Sequence, residues 1–299
     1  MSMGDLARRF GVPGVLRIDE GRGSLPKVTI TSDLCSAELY FHGAHLTAFQ
    51  PRGAKPVLFM SEESHFDPAK PIRGGIPVIF PWFGPRAGAP DSPAHGFARI
   101  QSWELETCAV QADGCVRLVL GLQDDEATRR FWPDSFGLRL TFTIGRSLGL
   151  ELEVRAGRGP IRIEEAFHTY FQVGDVRQVS VLGLENADYI DKVDSFRRKT
   201  QPAEAIRITG ETDRVYLKTL STCVIRDPVL ERTITVEKEQ SDNTVVWNPW
   251  VTKARAMPDF GDEEWPRMLC VETANVGDSA IRLEASQTHL LRTRIHVAG

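Results

Sequence analysis

Residues 137–157 read GLRLTFTIGRSLGLELEVRAG. Leu138, Leu140, Phe142 and Ile144 fall on one side of a two-residue period, with Arg139, Thr141 and Thr143 on the other. The alternation resumes with Leu150, Leu152 and Val154 against Glu151, Glu153 and Arg155. A period of two puts successive side chains on opposite faces of a strand. The stretch is therefore two half-buried antiparallel strands, joined by a hairpin at RSLG, 146–149.

The same pattern spreads outward in both directions. KVTITS, AELYFHG, CVRLVLGLQ, RTITVEKE and AIRLEASQTHLLRTRIHV all alternate, with turn-like residues between them. Helical periodicity is confined to MGDLARRFGV near the start and DDEATRRFWPD at 124–134, each at most two or three turns. Many short strands and few helices predict an all-β fold, a large antiparallel sandwich. No repeat, linker or low-complexity tract divides the 299 residues, so a single domain over 1–299 is expected.

Composition narrows the function. The formal net charge is −4 and the charged fraction is 25%. That balance predicts no nucleic-acid or anionic-membrane partner. An anionic small ligand would instead need a local cluster of arginines. Five cysteines, at 35, 108, 115, 223 and 270, form no CxxC pair. They predict reduced thiols, no zinc site and a cytoplasmic location. No apolar run is long enough for a membrane-spanning helix, and the N-terminus lacks the apolar centre of a secretory signal. No exposed apolar stripe demands a partner chain, so a monomer is expected.

Four stretches carry possible chemistry. IRGGIPVIFPWFGPR, 72–86, sets Arg73 before two glycines, then breaks an apolar run with prolines. Glycine permits left-handed backbone or close approach to a ligand. HGFARIQSW carries His95 and Arg99, which point the same way if the segment is extended. RIEEAFHTYFQVG places His168 in an aromatic strand, and RMLCVETANVG places Glu272 in an apolar one. A buried carboxylate is costly unless it is paired or put to use. Each stretch alone also has an ordinary explanation, as a turn, a surface strand or a satisfied core residue.

In this order IRGGIPVIFPWFGP, HGFAR, FHTYF, VVWNPW and CVETANV resemble the aldose 1-epimerase family, over about residues 28–297. More narrowly they resemble its hexose-6-phosphate mutarotase branch. The resemblance implies a galactose mutarotase-like supersandwich. It also implies interconversion of the α and β anomers of a sugar phosphate, glucose 6-phosphate first among them, without cofactor or metal. By motif match His168 is the acid at the ring oxygen and Glu272 the base at the anomeric hydroxyl. Arg73 and Arg99 match substrate-contacting arginines, suited to phosphate because a guanidinium donates two parallel hydrogen bonds. Asp191, in YIDKVD, matches an aspartate that accepts from sugar hydroxyls. His95 is placed near a hydroxyl or the phosphate, and Arg86 is either a further cation or a surface residue. Trp82, Phe83 and Trp247 either face the sugar or pack in the core. Ala94 departs from the pattern, since many relatives carry glutamine there. Two other classes stay open: a sugar-phosphate-binding protein without turnover, and a general aldose 1-epimerase acting on unphosphorylated sugars. Glycoside hydrolysis ranks last, because it ordinarily needs two carboxylates flanking the bond.

Overall fold

The computed structural model describes residues 2–299. The decisive stretch forms strands Phe136–Ile144 and Leu148–Ala156, with Ile144 opposite Leu148 across the hairpin. Leu138, Leu140, Phe142 and Ile144 are buried, as are Leu150, Leu152 and Val154. Arg139 and Arg155 stay at the surface. These two strands sit inside a nine-stranded antiparallel sheet, between strands Thr288–Ala298 and Val116–Gln123.

An eight-stranded sheet packs against it. Its centre is strand Met268–Asn275, paired with Asn243–Asn248 on one side and with Glu165–Phe167 and Tyr170–Gln172 on the other. Between the sheets lies one apolar cluster that includes Phe142, Leu152, Leu291 and Ile295 from one and Phe167, Phe171, Val246 and Val271 from the other. Thr273 Oγ1 donates across this core to Thr293 Oγ1 at 3.1 Å. Buried hydroxyls without partners would be costly. A four-stranded sheet of residues 16–51 joins the same core, and a two-strand ribbon pairs Ile161–Ile163 with Ile281–Leu283.

The other face of the eight-stranded sheet is not covered by a sheet. Ile79, Ala166, Val215, Val245, Ala274 and Val276 form a smaller apolar cluster there, with Phe83 against it. This face is the floor of the cavity described below. Strand Arg197–Thr200 forms one edge of the sheet with the sequence RRKT, charge that discourages edge-to-edge pairing.

The predicted helices are present and short, Met3–Phe10 and Glu126–Arg129, each started by a capping box. A further short helix is Trp250–Arg255. All five cysteines are free thiols. Among the described residues no helix is long and apolar enough to cross a membrane.

Candidate active site

Registry explains what the cavity floor presents. Asp213 stands opposite Trp247, and Trp247 opposite Cys270. Two residues along, Val215 stands opposite Val245, and Val245 opposite Glu272. Directly opposed residues share a face of the sheet, so Asp213, Trp247, Cys270, Val245 and Glu272 all project to the same side. His168 reaches them from a break in its chain. The expected strand through FHTYF stops at Phe167 and resumes at Tyr170, leaving His168 and Thr169 free of the ladder.

The result is a cavity of about 270 Å³. Its lining includes Arg73, Phe83, His95, Arg99, Lys192 and Lys253 as well as His168, Asp213, Trp247 and Glu272. His168 Nε2 lies 3.4 Å from Glu272 Oε1. Glu272 is 1% exposed and His168 7%. Glu272 Oε2 and His168 Nδ1 are buried without a hydrogen-bond partner. The imidazole stacks on Tyr170 at 4.8 Å, with the edges of His95 and Trp247 on other sides.

Burial sets the charge states. It raises the Glu272 carboxyl well above the ordinary carboxylate range; Lys192 pulls it down and Asp213 adds to the rise. Burial pushes His168 well below the ordinary imidazole range, assisted by Arg73 and Arg99. Both shifts favour the pair with no net charge. That state holds one proton that can sit on the carboxylate or on the imidazole.

The arginines differ in their support. Arg73 donates through Nε and Nη2 to Asp259 Oδ2, at 3.2 and 3.0 Å, and through Nη1 to the Tyr170 hydroxyl at 2.9 Å. Burial works against its charge, but Tyr170 and Asp259 outweigh it. Arg99 has no carboxylate partner among the described residues. Its Nη2 donates to the Ala94 carbonyl at 2.7 Å, and its Nε is buried with no partner. Burial, then the neighbouring Arg73, lowers its pKa to about 10. A guanidinium held in this condition is poised for an anion from outside the chain.

The glycines after Arg73 have a definite use. Gly74 and Gly75 take φ of 112° and 58°. A Cβ on Gly74 would lie 2.5 Å from the Phe59 carbonyl oxygen, and one on Gly75 would lie 2.3 Å from that of Leu46. Glycine is required there to bend the chain so that Arg73 faces the cavity.

His95 has φ of 61°, unusual for a residue with a Cβ. It is fixed by its own N–H to the Gly84 carbonyl at 2.8 Å and by the Gly84 N–H to its Nδ1 at 3.3 Å. A donor aimed at Nδ1 leaves the proton on Nε2. Burial, then Arg99, holds this ring neutral.

Of the expected site residues, His168, Glu272, Arg73, Arg99, His95, Phe83 and Trp247 come together. Asp191 does not. It stands opposite Arg214, on the face away from Asp213. Its carboxylate accepts from Lys199 and from the N–H groups of Val193 and Asp194. The aspartate in the cavity is Asp213, paired with Lys192 at 3.1 Å. Trp82 and Arg86 are also absent from the lining. Trp82 Nε1 donates to the Pro93 carbonyl, and Arg86 lies over the Trp82 ring while donating to the Phe131 carbonyl. They brace the 85–96 loop. Arg99 is not in a strand but in the 3₁₀ turn Ala98–Ile100.

A wide antiparallel sandwich of this kind is the fold of the galactose mutarotase-like proteins. The Salmonella typhimurium protein YeaD, described as a "putative mutarotase", superposes with a TM-score of 0.89 at 33% identity, over 97% of this chain and 95% of its own. The family description "Aldose 1-epimerase" matches residues 26–296, and the chain belongs to that family. A relative from Escherichia coli K12 is 36% identical over 90% of both chains, and one from Cenchrus ciliaris is 38% identical over 81% of this chain and 75% of its own. Both carry the name "Putative glucose-6-phosphate 1-epimerase".

Proposed function

We propose that this protein interconverts the α and β anomers of a hexose 6-phosphate, with glucose 6-phosphate as the first substrate to test. The observation that carries the reading is the buried His168–Glu272 pair, 3.4 Å apart, in the same cavity as Arg99 with its unpartnered Nε. The names of the relatives point the same way.

The chemistry asks for two proton transfers at oxygens that share one carbon. Glu272 takes the proton from the anomeric hydroxyl. His168 gives a proton to the ring oxygen as the bond from that oxygen to the anomeric carbon breaks. The electron pair left on the hydroxyl oxygen forms the aldehyde double bond. The C1–C2 bond turns, the freed hydroxyl attacks the other face of the carbonyl, and both protons return. Nothing is consumed, and one pair serves both directions. A pair at this spacing spans two oxygens on one carbon, and positioned acid–base groups contribute roughly 10²–10⁴-fold each.

Phosphate binding prepares the pair. Arg73 and Arg99 help hold His168 unprotonated. An anion between them offsets that field and favours the imidazolium. The proton then resides on His168 and the carboxylate is free to act as base. Asp213 and His95 supply an acceptor and a donor for sugar hydroxyls, while Trp247 and Phe83 offer apolar faces.

Exchange NMR on equilibrated glucose 6-phosphate and glucose tests the proposal. Acceleration of anomer exchange, much greater for the phosphate, is the expected result. Equal acceleration of both sugars would remove the phosphate from the account, and no acceleration of either would remove the reaction.

A further inference from the structure

Cys270 is buried, yet it lies two residues from Glu272 on the same face of its strand. The acid–base reading gives it no task. Its sulfur, a Glu272 oxygen and a His168 nitrogen all lie within 4.8 Å of one another. We propose that these three residues form a site for a thiophilic divalent cation such as Zn²⁺, and that the bound ion and the sugar phosphate exclude each other.

Three observations support this. The donor set is one nitrogen, one sulfur and one oxygen, which suits zinc or cobalt and is a poor match for magnesium or calcium. Ligand atoms around a tetrahedral zinc are spaced at about 3.3–3.6 Å, given zinc–ligand bonds of about 2.0–2.3 Å. The His168–Glu272 separation of 3.4 Å already meets that spacing. The sulfur, within 4.8 Å of the other two ligand atoms, needs a shift of up to about 1.2–1.5 Å to meet it, a rotation of the thiol about its own side-chain bond. Glu272 also has a buried oxygen with no hydrogen-bond partner, although the residue is 99% removed from solvent. The carboxylate thus has a coordination position unused by the protein.

The backbone around the site is rigid. Cys270 and Glu272 share a central strand, and Tyr170, opposite Cys270 in the ladder, stacks on the His168 ring. His168 and Glu272 open onto the cavity, so a fourth position is left for water. Three protein ligands and an open place make the pattern of an accessible zinc site. On binding, the ion displaces the thiol proton to solvent as the Zn–S bond forms; no oxidant or reductant takes part.

Binding of the ion stands apart from the proposed reaction; only the inhibition rests on it. A titration of the chelator-treated, desalted protein with Co²⁺ tests binding by the thiolate-to-cobalt absorption band. The expected result is a band that saturates at one ion per chain, fades when Zn²⁺ or glucose 6-phosphate is added, and is missing in Cys270→Ser and Cys270→Ala. Exchange measurements should show Zn²⁺ inhibition competitive with the sugar phosphate. Cys270→Ser, measured against its own metal-free rate, should raise the inhibitory concentration at least about tenfold, since even groups that only hydrogen-bond a metal ligand are worth that much. Absence of the band in the wild-type protein, its survival in both Cys270 variants, or its indifference to glucose 6-phosphate would overturn the proposal. A normal band in a protein without exchange activity would leave the site intact and defeat the reaction instead.

Discussion

Replacing Arg99 by methionine separates substrate recognition from stability. Arg99 is half-buried, makes one hydrogen bond to the Ala94 carbonyl, and leaves Nε without a partner. Methionine keeps much of the stem volume and removes a cation that is poorly compensated. The apo protein should therefore melt in urea within about 1 kcal/mol of wild type, because the lost hydrogen bond and the relieved desolvation are of similar size. Binding tells a different story. Two charge-assisted hydrogen bonds to phosphate are worth about 1.5–3 kcal/mol each. The lower end suits a partly exposed group, and gives a loss of about 3 kcal/mol, or roughly 10²-fold in kcat/KM for glucose 6-phosphate. Exchange of unphosphorylated glucose, which cannot use that contact, should change by less than about threefold. The assay is exchange NMR on both sugars beside urea melts of both proteins. Equal losses on both sugars, or a melt destabilised by more than about 2 kcal/mol with the phosphate preference intact, would refute the assignment.

Arg73→Met should behave in the opposite way, losing about 2–3 kcal/mol in the melt because Asp259 and the Tyr170 hydroxyl are left unpaired. Asp213→Asn should lower kcat/KM roughly 10–100-fold, whereas Asp191→Asn should leave it within about threefold and reduce only the melting temperature. Glu272 binds its proton more tightly folded than unfolded, so stability is drained as pH rises from the ordinary carboxylate range towards the raised folded pKa. Melts of Glu272→Gln against wild type should show a stabilising difference that grows as the pH rises above the ordinary carboxylate range. The pH profile of exchange should be a broad plateau: the acid limb is displaced below the usual imidazole range and the alkaline limb above the usual carboxylate range. An acid limb at an ordinary imidazole pKa would contradict the burial argument.

Local alternation made the sandwich legible. The strands at 136–144 and 148–156, and the hairpin between them, follow from residues adjacent in the chain. The pairing of Met268–Asn275 with segments a hundred residues away does not, because alternation specifies a face and not a neighbour. The same limit explains Asp191. Its motif is adjacent to the correct element, but a one-residue step along a strand reverses the face, and Lys192 is the residue that reaches the cavity. Asp213, in ETDRVYL, has no local signal; only its register with Trp247 reveals it. Tyr170 and Asp259 were likewise silent, since their task is to hold Arg73. Trp82 and Arg86 admit either reading in the sequence, because aromatic and cationic groups serve loop packing and ligand contact equally well; the structure puts both in the packing of the loop.

The central claim is that His168 and Glu272 carry protons to and from the sugar and do not merely help to hold it. It is tested most directly by measuring anomer exchange and glucose 6-phosphate binding side by side in His168→Asn and Glu272→Gln. The account predicts exchange reduced roughly 10²-fold or more in each, with calorimetric affinity within about tenfold of wild type. Exchange near the wild-type rate in either variant, with the fold intact, would contradict it.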